Sequence, residues 1–354
     1  MNAVPDPPPR RVLVIRLSAI GDVIMSSGLI PVLRAGWPAA EIVWLTDEGN
    51  AALLRDNPRV TEVVALPRRR WAGLWREGRR RELWRELRGF TGALRERRFD
   101  LALDLQGLLK SAVWARLSGA PRRVGLGSRE GSAVLVTRVV ARDVRDERLG
   151  KEYRALAEAL GLDAGRYSMD VVVSARDDAS ARATVAEAGV DPDYLVLAPF
   201  TTRPQKHWLD ERWPMLARRL KLDLGLRSVL LGGPADAPRA AAVAARSAGD
   251  AVSLAGRTSL TEAAAVIRGA SLLVGVDTGL THLGIAMRTP TLALFGSTRP
   301  YLDPGVPRAR VLYHAMDCSP CRRRPTCGGE YTCMRLHTVD NVAGAARGLL
   351  GEDA

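Results

Sequence analysis

The sequence predicts an α/β protein built from two Rossmann-like halves. Three observations predict it: short apolar runs alternate with amphipathic stretches, the alternation falters once and restarts, and 354 residues at 47% hydrophobic content exceed what one core normally supports. Brief, nearly all-apolar runs separated by helical stretches are what a parallel sheet covered on both faces requires.

In the first half RVLVIRL (11–17), EIVWLT (41–46), VTEVVAL (60–66) and FDLALDL (99–105) read as strands, each followed by a helix candidate. The rhythm breaks near DVVVSARDD (170–178) and resumes with YLVLAPF (194–200), RSVLLGG (227–233), SLLVGV (271–276) and PTLALFG (290–296). One domain is therefore expected over 1–175 and a second over 190–337. The stretch TVDNVAGAARGLL (338–350) reads as a helix within a last segment, 338–354, that could pack back on the first domain. No repeat with a period of 20 to 50 residues is visible.

The charge is +13, from 52 Lys plus Arg against 39 Asp plus Glu, and only four of the basic residues are lysines. Guanidinium groups favour bidentate contacts with phosphate and carboxylate, so the partner classes are nucleic acid, anionic lipid, and phosphorylated or acidic sugars. No run approaches the roughly 20 apolar residues of a membrane span, and MNAVPDPPPRR lacks the order of a secretory signal. A cytoplasmic protein is the expectation.

In doubly wound sheets ligands bind beyond the carboxyl ends of the strands, where helix N-termini face anions. After the first strand, LSAIGDVIMSSG places Asp22 at a helix start, where it serves either as a cap or as a general base that takes a proton from an acceptor hydroxyl. This loop lacks GxGxxG, and the second strand closes on Thr46 before Asp47. A dinucleotide-dependent dehydrogenase is poorly supported.

The second half opens with LAPFTTRPQKHWLDERW, in which Thr201, Thr202 and Lys206 supply two hydroxyls and an ammonium for a pyrophosphate. Asp236 of GGPAD caps its helix or holds a ribose hydroxyl. In VGVDTGLTHLGIA a strand ends at Asp277, and Thr278, Gly279 and Leu280 start a helix whose amides can receive a phosphate, with His282 close behind. Gly296, Ser297 and Thr298 should face the same crevice.

Residues 67–98 hold twelve arginines against four glutamates, so +8 of the total charge lies in this one stretch. Trp71, Trp75 and Trp84 interleave with the arginines, which suits a membrane surface or stacked bases. The four cysteines, Cys318, Cys321, Cys327 and Cys333, read C-x2-C-x5-C-x5-C. They could enclose Zn or Fe as a structural metal, or stay as reduced thiols.

Taken together, RLSAIGDVIMSSG, PRRRW, FDLALDLQGLLKSA, TTRPQKHW, VGVDTGLTHLGIA and LALFGST resemble the ADP-heptose:lipopolysaccharide heptosyltransferases of glycosyltransferase family nine, most of all the heptosyltransferase I group. The resemblance spans nearly the whole chain. It implies a GT-B fold, two Rossmann-like domains facing a central cleft, with the acceptor on the first and the nucleotide sugar on the second. It implies an inverting transfer of heptose from ADP-heptose to the Kdo region of lipopolysaccharide, with Asp22 as the base and no cofactor required for catalysis. Thr201, Thr202, Lys206, Asp236, Asp277, Thr278, Gly279, Leu280 and His282 would bind the donor. Arg68, Arg69, Arg70 and Lys110 would meet a Kdo-lipid A acceptor, and the protein would work peripherally on the anionic inner face of the inner membrane. A second reading keeps the fold and changes the acceptor to a protein or another glycan. A nucleic-acid-binding module would explain the charge, but it leaves the TTRPQKH and DTGLTH loops without purpose, so no nucleic-acid partner is expected.

Overall fold

The computed structural model describes residues 7–142, 147–321 and 324–351, which form two compact units. The first comprises Met1–Asp146 and Gly150–Val172, and the second Glu147–Leu149 and Val173–Ala354.

The first unit carries strands β1 (Arg11–Ile15), β2 (Glu41–Asp47), β3 (Glu62–Leu66), β4 (Leu101–Asp104), β5 (Arg122–Leu126) and β6 (Arg138–Val140). Its helices are α1 (Ile20–Ser26), α2 (Leu29–Gly36), α3 (Ala52–Arg55), α4 (Arg68–Arg76), α5 (Arg80–Glu96), α6 (Leu109–Leu117) and α7 (Lys151–Ala159). The strands form one parallel sheet in the order β3-β2-β1-β4-β5-β6. β1 and β4 lie side by side at the centre, where Val12, Leu13, Val14 and Ile15 are fully buried because helices cover both faces.

The second unit contains α8 (Ala175–Glu187), β7 (Tyr194–Ala198), α9 (Arg212–Leu224), β8 (Arg227–Leu230), α10 (Ala237–Arg246), β9 (Ala251–Ser253), α11 (Leu260–Gly269), β10 (Leu272–Val276), α12 (Gly279–Ala286), β11 (Thr291–Phe295), β12 (Ala309–Tyr313), α13 (Thr332–Arg335) and α14 (Val339–Leu350). Its parallel sheet runs β12-β11-β10-β7-β8-β9, the same winding as the first counted from its own first strand. In each unit the winding reverses between two central strands, β1 and β4 or β7 and β10. Loops leaving these neighbours part to opposite faces and open a crevice at the carboxyl ends.

Where the strand rhythm breaks, residues 170–174 form no strand, and Asp170 is held in the first unit by the Ser27 hydroxyl (2.9 Å), by Asn57 (3.0 Å) and by Arg59 (3.2 Å). Ser174 then caps α8 by accepting from the Asp177 amide. The terminal helix packs in the core of the second unit. Val342, Ala343 and Ala346 are fully buried there against α9, β10 and β11, and Arg219 pairs with Asp340 at 2.8 Å. A helix face of alanine and valine lets α14 approach the sheet closely, which anchors it where apolar surface is nearest. Residues 352–354 of that segment lie outside the described ones.

The basic stretch is a pair of helices with two different faces. Trp71 stacks on Trp114 (centroids 5.8 Å) and meets the edge of Phe90 (5.3 Å), so α4 and α5 are pinned to the first core through Leu74, Leu94 and these rings. Trp75 and Trp84 face outward, 63% and 67% exposed, among Arg80, Arg81, Arg85 and Arg88.

Candidate functional site

At the first reversal, Arg16 follows β1 with its guanidinium buried. Nη1 donates to the Leu105 carbonyl after β4 (2.6 Å), and Nη2 pairs with Asp22 Oδ2 (2.6 Å). Burial alone would lower the Arg16 pKa, but Tyr153, Asp22 and Glu152 outweigh it and raise it, so this cation is permanent. Asp22 is the third residue of α1, and its Oδ2 also accepts from the Ala19 amide at 3.2 Å. The capping and functional readings therefore fall on one carboxylate, whose side chain is 38% exposed. Tyr153 of α7 donates to the Asp22 carbonyl at 3.3 Å, fixing this turn from behind.

The neighbouring loops bring further charge to this crevice. Asp104 Oδ1 accepts from the Gln106 and Gly107 amides, turning the chain at the end of β4. Gly107 has φ +65°, and a Cβ there would lie 2.5 Å from the Leu126 carbonyl oxygen, so only glycine fits. Lys110 then reaches Ser18 Oγ at 3.5 Å, and Arg68 pairs with Asp47 at 3.1 Å. Burial pushes the Asp47 carboxyl up against the opposing pull of Arg68 and Lys110.

Of the four residues expected to meet the acceptor, Lys110 and Arg68 lie at this crevice. Arg69 donates its amide to Glu48, which follows β2. Arg70 turns to α5, where Glu86 takes its guanidinium at 2.5 Å and accepts from Trp71 Nε1 at 3.0 Å. That pairing braces the two basic helices against each other.

At the second reversal Asp277 ends β10 and is nearly buried. Its Oδ2 accepts from Lys206 Nζ (2.5 Å) and Thr298 Oγ1 (2.5 Å), while Oδ1 lies 3.5 Å from His282 Nε2. Burial would raise its pKa, but the hydrogen bond with His282 and the Lys206 charge prevail, holding the carboxyl well below the usual range. Thr201 Oγ1 and Lys206 Nζ each approach the Asp277 carbonyl at 3.5 Å. Thr278 is the N-cap of α12, and Gly279 and Leu280 form its first turn, partly exposed. Thr201, Lys206, Asp277, Thr278, Gly279 and Leu280 thus share one crevice: amides at a helix N-terminus beside an ammonium, an arrangement suited to a diphosphate.

Thr202 is exposed on the same loop. His282 is buried, with Nδ1 2.9 Å from the Tyr301 hydroxyl and Nε2 facing Asp277, so both ring nitrogens are turned inward. Asp236 Oδ2 accepts from the Gly233 amide at 2.9 Å, which is the capping use. Arg16 and Tyr301 were missed in the sequence. The arginine that interrupts the apolar run directly after β1 was the available signal for Arg16; Tyr301 had none.

Among the described residues no group of three or more His, Cys, Asp or Glu is placed to hold an ion. The structural Zn or Fe expected at the four cysteines is unsupported. Cys333 is buried against Gly296, where a Cβ would come within 2.8 Å of its sulfur, while Cys318 is exposed. Burial pushes the thiols of Cys321 and Cys333 up, whereas backbone hydrogen bonds hold that of Cys327 down. No helix among the described residues is long and apolar enough to cross a membrane.

Two doubly wound parallel sheets, one with a half-buried aspartate and the other with an ammonium at a helix N-terminus, have the architecture of the GT-B glycosyltransferases. The profile of glycosyltransferase family 9 (heptosyltransferase) matches residues 87–332, and the chain belongs to that family. It is 34% identical to lipopolysaccharide heptosyltransferase 1 of Pseudomonas aeruginosa over 333 residues, 90% of this chain and 87% of that one. Among solved structures it is similar to the ADP-heptose lipopolysaccharide heptosyltransferase II of E. coli (TM-score 0.74, 26% identity, 97% and 100% of the two chains). It is also similar to E. coli heptosyltransferase WaaC with ADP-2-deoxy-2-fluoro heptose (TM-score 0.69, 27% identity, 97% and 100%).

Proposed function

We propose that this enzyme transfers heptose from ADP-heptose to the Kdo region of the lipopolysaccharide inner core, inverting the anomeric centre. The observation that carries the reading is the Lys206–Asp277 pair at the start of α12, which presents a cation and backbone amides together. Thr201, Thr202, Lys206, Thr278, Gly279 and Leu280 hold the diphosphate of ADP-heptose. Asp277 and His282 stand behind them, and Asp236 lies near the ribose.

In a single displacement the acceptor hydroxyl attacks the anomeric carbon, Asp22 takes its proton, and ADP leaves with the electron pair of the broken glycosidic bond. Arg16 and the Ala19 amide orient the Asp22 carboxylate for that transfer. Lys206 and the α12 amides receive the charge that develops on the departing diphosphate, where preorganised donors are most effective. This role needs no metal cofactor.

Lys110 and Arg68 face the phosphates and carboxylates of Kdo-lipid A, with Arg69 beside them, while Arg70 is committed to Glu86. The enzyme works in the cytoplasm, peripherally on the inner face of the inner membrane. The outward face of α4 and α5, with Trp75, Trp84 and the surrounding arginines, rests on anionic headgroups. Each surface charge there contributes about 1 kcal/mol.

Incubation with ADP-heptose and Kdo-lipid A, followed by ADP release and product mass, tests donor, acceptor and reaction type together. A product heavier by one heptose is expected. ADP release that needs no acceptor would point to hydrolysis, and no release would overturn the reading.

A further inference from the structure

We propose that Tyr301 is a positioning residue of the second-unit site, acting on Lys206 through His282 and Asp277; the inference rests on the donor reading above. Tyr301 lies in the loop after β11 and is almost fully buried. Its ring meets the edge of Phe295, the last residue of β11 (5.2 Å, 76°), and tilts against His282 (5.6 Å). The ring is therefore held from two sides. Its hydroxyl sits 2.9 Å from His282 Nδ1.

The protonation pattern follows from the partners. Asp277 as a carboxylate can only accept, so the imidazole nitrogen facing its Oδ1, Nε2, must carry a hydrogen. In a neutral imidazole Nδ1 is then the acceptor, and the Tyr301 hydroxyl supplies the hydrogen it needs. Tyr301 thus selects the tautomer that points a donor at Asp277. The other carboxylate oxygen accepts from Lys206 and Thr298. A chain of donors runs from a phenol, through an imidazole, to the carboxylate that orients the one ammonium of the donor loop.

Without the hydroxyl, Nδ1 would be buried with its main partner gone, and moving the proton to Nδ1 would turn a lone pair toward Asp277. The carboxylate would lose a donor and Lys206 its fixed anchor. Tyr301 is no phosphate ligand in this scheme; it acts at second hand, as partners behind a binding group commonly do.

Tyr301→Phe keeps the ring and removes only the hydroxyl. In protein labelled with 15N-histidine, the His282 signal, assigned with His282→Gln, should show the Nε2–H tautomer in the parent and a shift toward Nδ1–H in Tyr301→Phe. ADP affinity by calorimetry should fall roughly three- to tenfold, the worth of about one hydrogen bond. Lys206→Met should abolish the difference between Tyr and Phe at 301. An unchanged tautomer would overturn the proposal, as would an affinity loss that persists in the Lys206→Met background. A lowered melting temperature with both readouts unchanged would overturn it too, by making Tyr301 structural. Parent protein that binds no ADP would refute the donor reading instead, and the tautomer shift would still decide whether Tyr301 controls His282.

Discussion

The two sheets share one winding, yet their crevices are charged in opposite senses of use. At the first, a buried arginine holds an aspartate that remains 38% exposed. At the second, a nearly buried aspartate holds a lysine, with His282 and Thr298 completing its shell. An aspartate that is to exchange a proton with a substrate must be reachable; one that orients a cation is best kept dry, where each hydrogen bond counts for more. Topology places both aspartates beyond the ends of central strands, and they differ in burial.

Replacing Asp22 with Asn should produce the largest effect and break the comparison most directly. Turnover should fall a hundredfold or more while ADP binding is retained, since general-base contributions are about 10²–10⁴-fold. Near-normal turnover in a steady-state assay would remove Asp22 from the mechanism and leave it a cap.

Acid should separate the two units next. All four histidines, His207, His282, His314 and His337, lie in the second. His337 is buried, with Nε2 2.9 Å from the Phe295 carbonyl oxygen. Burial lowers its pKa to about 4, outweighing the bond to Phe295. The unfolded histidine, near 6.5, binds a proton more readily than the folded one. Its stability contribution is therefore present above that value and is lost as pH falls from about 6.5 toward 4, up to about 3 kcal/mol. Hydrogen exchange at pH 7 and pH 5 should show protection falling in α9, β11 and α14 before it falls in β1 and β4. Simultaneous loss in both units would assign the acid sensitivity elsewhere.

A smaller effect is expected for Lys206→Ala. ADP affinity should drop by about ten- to a hundredfold, the range of a charged hydrogen bond, and calorimetry reads it directly. Unchanged affinity would count against the diphosphate site.

The smallest effect on stability should come from the outward tryptophans. Trp84→Ala should shift unfolding by less than about 0.5 kcal/mol, since the ring is exposed, whereas Trp71→Ala should cost about 3 kcal/mol or more. Sedimentation with anionic vesicles should weaken for Trp84→Ala; unchanged binding would remove this face from the membrane contact.

Much of this was legible along the chain. The central strands were found because burial on both faces demands unbroken apolar runs, as in Leu195–Ala198 and Leu272–Val276. The outer strands β5, β6, β9 and β12 were missed. Arg122, Arg138 and Arg310 interrupt the apolar pattern of β5, β6 and β12, since such strands are covered less completely, and β9 is only three residues long. Among site residues, those in one loop were visible: Asp22, Thr201 with Lys206, and Asp277 through His282.

The sequence by itself determined the doubly wound class and the family, because these depend on local runs and short spacings. Only the tertiary structure decided that Arg16 holds Asp22, that Arg70 braces α5, that α14 belongs to the second core and that Tyr301 backs His282 from nineteen residues away. Those pairings join separate strands and helices, and a contact across a fold leaves no spacing for a linear pattern to show.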